Sequence, residues 1–177
     1  MTDLSKSQKV ALHEAYKHGD MHSVRALLGN PRNFPNSPGP MGMGAVVLEY
    51  AIYNSPLSFI RELLKLGADP NYLSLGGFPS LIAALSADRP DRIEIIDLLL
   101  VHDADIQQRG LNGYTSLHYA ASLNDCRAIE LLVARGADLK AKTNVDNFTT
   151  PLEEAEMLGR VEAAKLLRKL SQRPIDR

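Results

Sequence analysis

Read only for apolar and polar positions, the chain is a run of short helical stripes separated by turn residues. Leu117, Ala120 and Ala121 follow i, i+3, i+4 spacing, which places them on one helix face. Asn124-Asp125-Cys126 breaks the stripe, and Ile129, Leu132 and Val133 resume it on a second helix. Gly136 then supplies the left-handed backbone that often ends a helix. Each predicted helix is about eight to ten residues, shorter than the ~12–15 needed for marginal stability in isolation. Such helix pairs bury their apolar faces only by packing on one another.

The stripe recurs. Gly67-Ala68-Asp69, Asp103-Ala104-Asp105 and Gly136-Ala137-Asp138 lie 36 and 33 residues apart. Each follows a leucine-rich run: Leu63-Leu64, Leu98-Leu99-Leu100 and Leu131-Leu132-Val133. Similar runs stand at Leu27-Leu28 and Leu166-Leu167. A second phrase, Thr115-Ser116-Leu117-His118-Tyr119-Ala120, keeps the same register. Its weaker copies centre on Leu12, Leu48, Leu81 and Leu152, so the leucine spacings are 36, 33, 36 and 35. Two independent phrases in one register indicate a repeat array.

These residues resemble the ankyrin repeat, whose period near 33 and T-P-L-H-x-A phrase they share. The resemblance runs from about Ser7 to Leu170 and is clearest over Leu111 to Lys140. It implies an all-α fold: one ankyrin repeat solenoid over 1–177, with repeats near 7–36, 41–73, 75–109, 110–143 and 144–171, the first and last being atypical caps. Three departures stand out. Asp103 replaces a turn glycine, and aspartate tolerates a left-handed backbone less well than glycine. Repeat three carries about three extra residues around Ala87-Asp88-Arg89-Pro90-Asp91, a charged turn that reads as a tolerated surface insertion or a contact loop. Repeat one ends in a loop with Pro31, Pro35, Pro38 and Pro40; Pro35-Asn36-Ser37-Pro38 formally fits PxxP, and plain loop is the preferred reading.

Composition narrows the function. Hydrophobic residues make up 45% and charged residues 23%, as in a core-forming chain, and the net charge of −1 gives no overall field to draw nucleic acid. No uninterrupted apolar run suits a signal peptide or a membrane span, so the expected location is the cytoplasm. Cys126 is the only cysteine, which leaves no internal disulfide and no cysteine zinc site; Arg127 beside it is weak evidence for an activated thiol. His18 and His22 are four apart, but Gly19-Asp20 should separate them onto two helices, so no metal site is expected. His13 and His118 occupy the phrase histidine, which the resemblance makes structural. Glu153, Glu154, Glu156, Asp88 and Asp91 read as solvated surface rather than paired catalytic carboxylates. No catalytic residue, cofactor site or enzyme activity is expected.

The resemblance implies protein binding through the hairpin tips and the first helix of each repeat. Contact positions then fall three, five and six residues before the phrase leucine and five and six after it. They give Gly42, Met43, Ala45, Tyr53 and Asn54; Leu75, Gly76, Phe78, Ser86 and Ala87; and Leu111, Asn112, Tyr114, Ser122 and Leu123. Phe148 stands one residue out of register. Apolar tips are the notable feature, since exposed aromatic and aliphatic side chains suit an interface hot spot. Phe78, Leu111 and Tyr114 are the expected anchors, with Met43, Tyr53, Asn54, Leu75, Asn112 and Leu123 around them. The expected partner is an unidentified protein, with the chain a monomer in isolation acting as an adaptor, inhibitor or immunity-like binder. The alternatives are a homo-oligomeric scaffold, or a small-ligand protein or enzyme.

Overall fold

A computed structural model gives the fold, and the structure describes residues 4–38, 46–72, 78–144 and 148–172. Two compact units divide the chain, Met1–Ala104 and Asp105–Arg177. The described residues are helical, with one isolated bridge, between Pro38 and Val46.

The first unit holds α1 (Lys6–His18), α2 (Met21–Leu27), α3 (Val47–Asn54), α4 (Leu57–Lys65), α5 (Ser80–Ser86) and α6 (Arg92–Val101). Local chemistry sets the helix ends. Ser5 and Gln8 form a capping box at α1, satisfying two of the orphan N–H groups of the first turn. Gly19, left-handed at φ 69, ends α1, and the Asp20 carboxylate then caps α2 through Ser23 N–H. The helices pair as antiparallel hairpins, α1 with α2, α3 with α4, and α5 with α6. The first helices also stack, α3 against both α1 and α5, and α4 packs on α6. His18 closes α1 while His22 lies on α2, as the Gly19-Asp20 break implies.

The second unit begins with a one-turn 3₁₀ segment, Leu111–Gly113. Then come α7 (Ser116–Ser122), α8 (Cys126–Ala134), α9 (Pro151–Met157) and α10 (Val161–Ser171). Asp125 caps α8 through Ala128 N–H, and Thr150 with Glu153 boxes α9, whose first residue is Pro151. Here α7 packs on α8 and α9, and α10 on α8 and α9.

The repeat phrase supplies the core. Leu12, Leu48, Leu81 and Leu117 are at most 3% exposed, and each such burial is worth about 1.5–3 kcal/mol. Leu152 is only half-buried, as befits a terminal repeat. Ala51, Ala83, Ala84, Ala120, Ala121 and Ala155 are fully buried; their small side chains let stacked first helices approach closely.

Candidate functional site: hairpin tips and first-helix ends

The inter-repeat turn is built by the Gly-Ala-Asp phrase. Gly67, Asp103 and Gly136 all have left-handed backbone, at φ 87, 64 and 92. The alanine that follows is buried in each case. The aspartate then folds its carboxylate onto its own backbone. Asp69, Asp105 and Asp138 accept from the N–H of Asn71, Gln107 and Lys140 at 2.8, 2.9 and 2.8 Å. A side-chain amide ties each turn to the next: Asn36 donates to Gly67 O, Asn71 to Asp103 O, and Gln107 to Gly136 O. Asn36 also accepts from Asp69 N–H at 2.7 Å. The proline loop of repeat one therefore does the work of the missing Gly-Ala-Asp turn. Its Pro35 is buried, so the segment does not present both prolines of the PxxP pattern at the surface.

At the tip of the second unit, Asn112 and Gly113 are both left-handed, at φ 57 and 76. The following loop docks here, with Asn144 N–H donating to Asn112 O at 3.0 Å. A Cβ on Gly113 would come within 2.6 Å of the Asn144 backbone, so only glycine fits. Arg109 donates to the carbonyls of Gly113 and Lys142 and fastens the two loops together. This scaffold holds Leu111 at 65% exposure. Four residues before its phrase leucine, Phe148 takes the place that Gly113 has in repeat four. Phe148 keeps the glycine's conformation, at φ 49, and is 57% exposed. A bulky residue there is a backbone outlier as well as an exposed apolar surface.

Tyr114 is half-buried and faces the next repeat. Its hydroxyl donates to Glu154 Oε1 at 2.5 Å, and its ring lies 5.5 Å from His118. Glu154 is itself buried and accepts from Thr149 Oγ1 at 3.0 Å, so the expectation of a solvated Glu154 is corrected. Glu153 serves the α9 cap and Glu156 pairs with Arg168, both at the surface. The fully buried His118 joins two repeats, with Nε2 donating to Thr149 O and Nδ1 accepting from the Thr115 hydroxyl at 2.9 Å. Burial holds its imidazole below the ordinary pKa. His13, the matching residue of repeat one, is exposed and bonds the Tyr50 hydroxyl at 2.8 Å.

Among the other expected contacts, Tyr53 is 41% exposed and shares a 2.7 Å hydrogen bond with Ser86. Asn54 donates to Tyr50 O, Asn112 is exposed, and Leu123 is 46% exposed. Phe78 is half-buried, and its carbonyl accepts from Tyr72. Ala87, the C-cap residue of α5, is 4% exposed and inaccessible, so it is removed from the expected contacts. Met43 and Leu75, with Gly42, Ala45 and Gly76, lie outside the described residues. Counting five and six residues beyond Leu152 gives Met157 and Leu158, which are 59% and 46% exposed.

In the first unit the insertion borders a cleft of about 470 Å³ lined by Lys17, Tyr53, Asn54, Ser55, Pro56, Arg89, Pro90 and Asp91. Arg89 grips both Asp91 oxygens, at 2.6 and 2.8 Å, and donates to the carbonyls of Ile52 and Ser55. Its guanidinium holds the Asp91 carboxyl below the usual range. Cys126 opens α8, and burial together with Glu162, Glu130 and Asp125 raises its thiol pKa, the reverse of activation.

Residues 81–176, a little over half of the chain, match the family described as ankyrin repeats (3 copies). Alpha-latroinsectotoxin-Lt1a of Latrodectus tredecimguttatus is 39% identical over 93 residues, 52% of this chain and 6% of that protein. RelA-associated inhibitor of Mus musculus is 30% identical over 132 residues, 73% of this chain and 15% of its own length. Ankyrin repeat and KH domain-containing protein mask-1 of Caenorhabditis elegans is 24% identical over 166 residues, 93% of this chain and 6% of its own. The chain thus spans a small part of each of these relatives. With the Gly-Ala-Asp turns, the Thr115–His118 phrase and the paired short helices, this match makes the chain a member of the ankyrin repeat family, whose repeats are in general protein-interaction modules.

Proposed function

We propose that the chain binds one partner protein through its hairpin tips and first helices, as an adaptor or inhibitor and not as an enzyme. Met43, Tyr53, Asn54, Leu75, Phe78, Leu111, Asn112, Tyr114 and Leu123 are the proposed contact set, with Phe148 added at the tip of repeat five. One observation carries the reading: Phe148 is both 57% exposed and left-handed. A bulky residue in this conformation costs of order 1 kcal/mol or more, and exposing the ring gains nothing for the fold. Backbone cost and apolar exposure at one residue fit a side chain kept for contact. Leu111, 65% exposed on the neighbouring loop of the same unit, extends the surface. A relative named as an inhibitor associated with RelA is in keeping with this role. A lone cysteine suits a reducing compartment, and the cytoplasm is proposed with it.

The test is crosslinking and mass spectrometry of the chain in its native cell, followed by binding of the recovered protein to a Leu111→Ala/Phe148→Asn variant. Binding should weaken about tenfold or more, equivalent to ~1.4 kcal/mol, while the melt holds or improves. Asparagine tolerates the left-handed conformation better than phenylalanine does. Recovery of no specific partner, or unchanged affinity of the variant, would overturn the proposal.

A further inference from the structure

The cleft of the first unit has a wall with more donors than acceptors. Its volume of about 470 Å³ falls in the range of ~300–1,000 Å³ common among ligand clefts, and Tyr53, Pro56 and Pro90 give it apolar sides. The acceptors at this end of α3 are already in use. Asn54 donates to Tyr50 O, Ser55 N–H to Ala51 O, and Arg89 to the carbonyls of Ile52 and Ser55. Both Asp91 carboxylate oxygens are held by Arg89. These bonds employ four of the five guanidinium N–H groups, and the fifth, on Nη2, has no acceptor among the described residues.

Further donors stand around it. Ser55 lines the cleft at 3% exposure, and its hydroxyl has no hydrogen-bond partner among the described residues. A buried hydroxyl left unpaired costs about 1–3 kcal/mol, so the fold gains nothing from serine at this position. Helix α4 begins at the cleft wall, with Pro56 as its N-cap and no side-chain cap. Its first bonded amide is that of Phe59, which leaves the N–H groups of Leu57 and Ser58 to an outside acceptor. The positive end of the α4 dipole lies with them. Lys17 stands on the rim. Its carboxylate neighbour Glu14 is 4.0 Å away, and both side chains are largely in water, where such a pair is worth little. Of the three charges on the wall, Arg89 and Asp91 cancel and Lys17 remains.

An excess of donors with one net positive charge selects an oxyanion. A cation would meet Lys17 and the positive end of α4. A purely apolar group would leave the Ser55 hydroxyl and the Nη2 N–H without a partner. We propose that the cleft is an oxyanion subsite, which receives a carboxylate or phosphate group carried by the partner protein. Lys17, the Ser55 hydroxyl and the α4 N-terminus bond the anion, and the segment that bears it lies against Tyr53, Pro56 and Pro90. The inference rests on the protein-binding reading and deepens it: Tyr53 and Asn54 of the proposed contact set border the cleft, and the subsite names the chemistry that the partner brings there.

The test titrates the full 177-residue chain, isotope-labelled, with short capped peptides of one sequence and with inorganic phosphate alone. The peptides have apolar flanks and differ only in a central glutamate, phosphoserine or glutamine. The glutamate or the phosphoserine peptide should bind at least tenfold tighter than the glutamine peptide and shift the amide resonances of Ser55, Leu57 and Ser58. Tighter binding of either supports the subsite and identifies its anion. Lys17→Met keeps the apolar stem and should weaken that binding about tenfold. Ser55→Ala should weaken it several-fold while the melt holds or improves, a combination that a merely structural serine would not give. Leu111→Ala/Phe148→Asn should leave it unchanged. No binding, equal affinity for all three peptides, full affinity in Lys17→Met and Ser55→Ala, or inorganic phosphate bound as tightly as the peptides would overturn the proposal. A partner protein that needs Leu111 and Phe148 but is indifferent to Lys17→Met and Ser55→Ala would sink this inference and leave the protein-binding reading standing.

Discussion

Position 103 carries aspartate where the neighbouring repeats carry Gly67 and Gly136, and all three share left-handed backbone. The Asp103 contribution to the turn is its carbonyl, which accepts from Asn71 and would remain in a glycine. We therefore expect Asp103→Gly to be neutral or stabilising by up to ~1 kcal/mol, read by denaturant melt. Clear destabilisation would mean that the side chain is needed there. The register that makes position 103 comparable with 67 and 136 was legible in the repeat. The same register places Phe148 with Gly113, a comparison that counting from Tyr114 concealed. Glu154 shows where residue-level reading stops. A charged residue in an exposed-looking run signals solvent, and the partner that draws it inward, Tyr114, stands 40 residues earlier, with Thr149 adding a second bond from just before α9.

At the scale of the element, the α5–α6 connection separates what spacing reveals from what it hides. The extra residues and the turn at Pro90 follow from the leucine count. The anchoring does not, because Arg89 donates to backbone carbonyls 34 and 37 residues back, and carbonyls leave no mark in a sequence. Fixing a long side chain in one geometry costs rotamer entropy, which four hydrogen bonds offset. Arg89→Met keeps the apolar stem and removes the donors. It should cost about 1–2 kcal/mol and speed amide exchange at the C-terminal end of α3, as read by hydrogen exchange. A variant with wild-type stability and exchange would show the insertion to be merely tolerated. At the first-helix ends the counting rule picks out Leu123, which is exposed, and the same count from Leu152 reaches the exposed Met157 and Leu158; their exposure follows the repeat, and no period says what would cover them.

Within each of the two units, ties join successive repeats, and some of them are titratable. His118 is neutral in its buried site, with folded pKa below the unfolded value of about 6.5. Above that value neither state holds the proton and the residue adds no pH dependence. As pH falls through about 6.5 the unfolded chain gains a proton that the folded chain resists, so stability declines until the folded pKa is passed. Urea midpoints should be flat from about pH 8 to 7 and fall as the pH drops below about 6.5, and His118→Asn should flatten that fall. An unchanged slope in the variant would remove His118 from the account. Asp20, Asp91 and Glu153, all with lowered pKa values, act in a more acid range: their stabilisation is lost as pH falls below about 4. The family and helix order were legible because periodicity records burial. The partner was not, because the repeat fixes where the exposed positions fall and not which residue types stand there.

The amides of Asn36, Asn71 and Gln107 set the step from one turn to the next through backbone carbonyls, which every residue type possesses. Spacing between loops is thereby uncoupled from the identity of the side chains the loops display. Leucine, asparagine or phenylalanine at an apex leaves those ties untouched within each unit, so, on the binding role proposed above, rewriting the apices would exchange one target for another while the frame is kept.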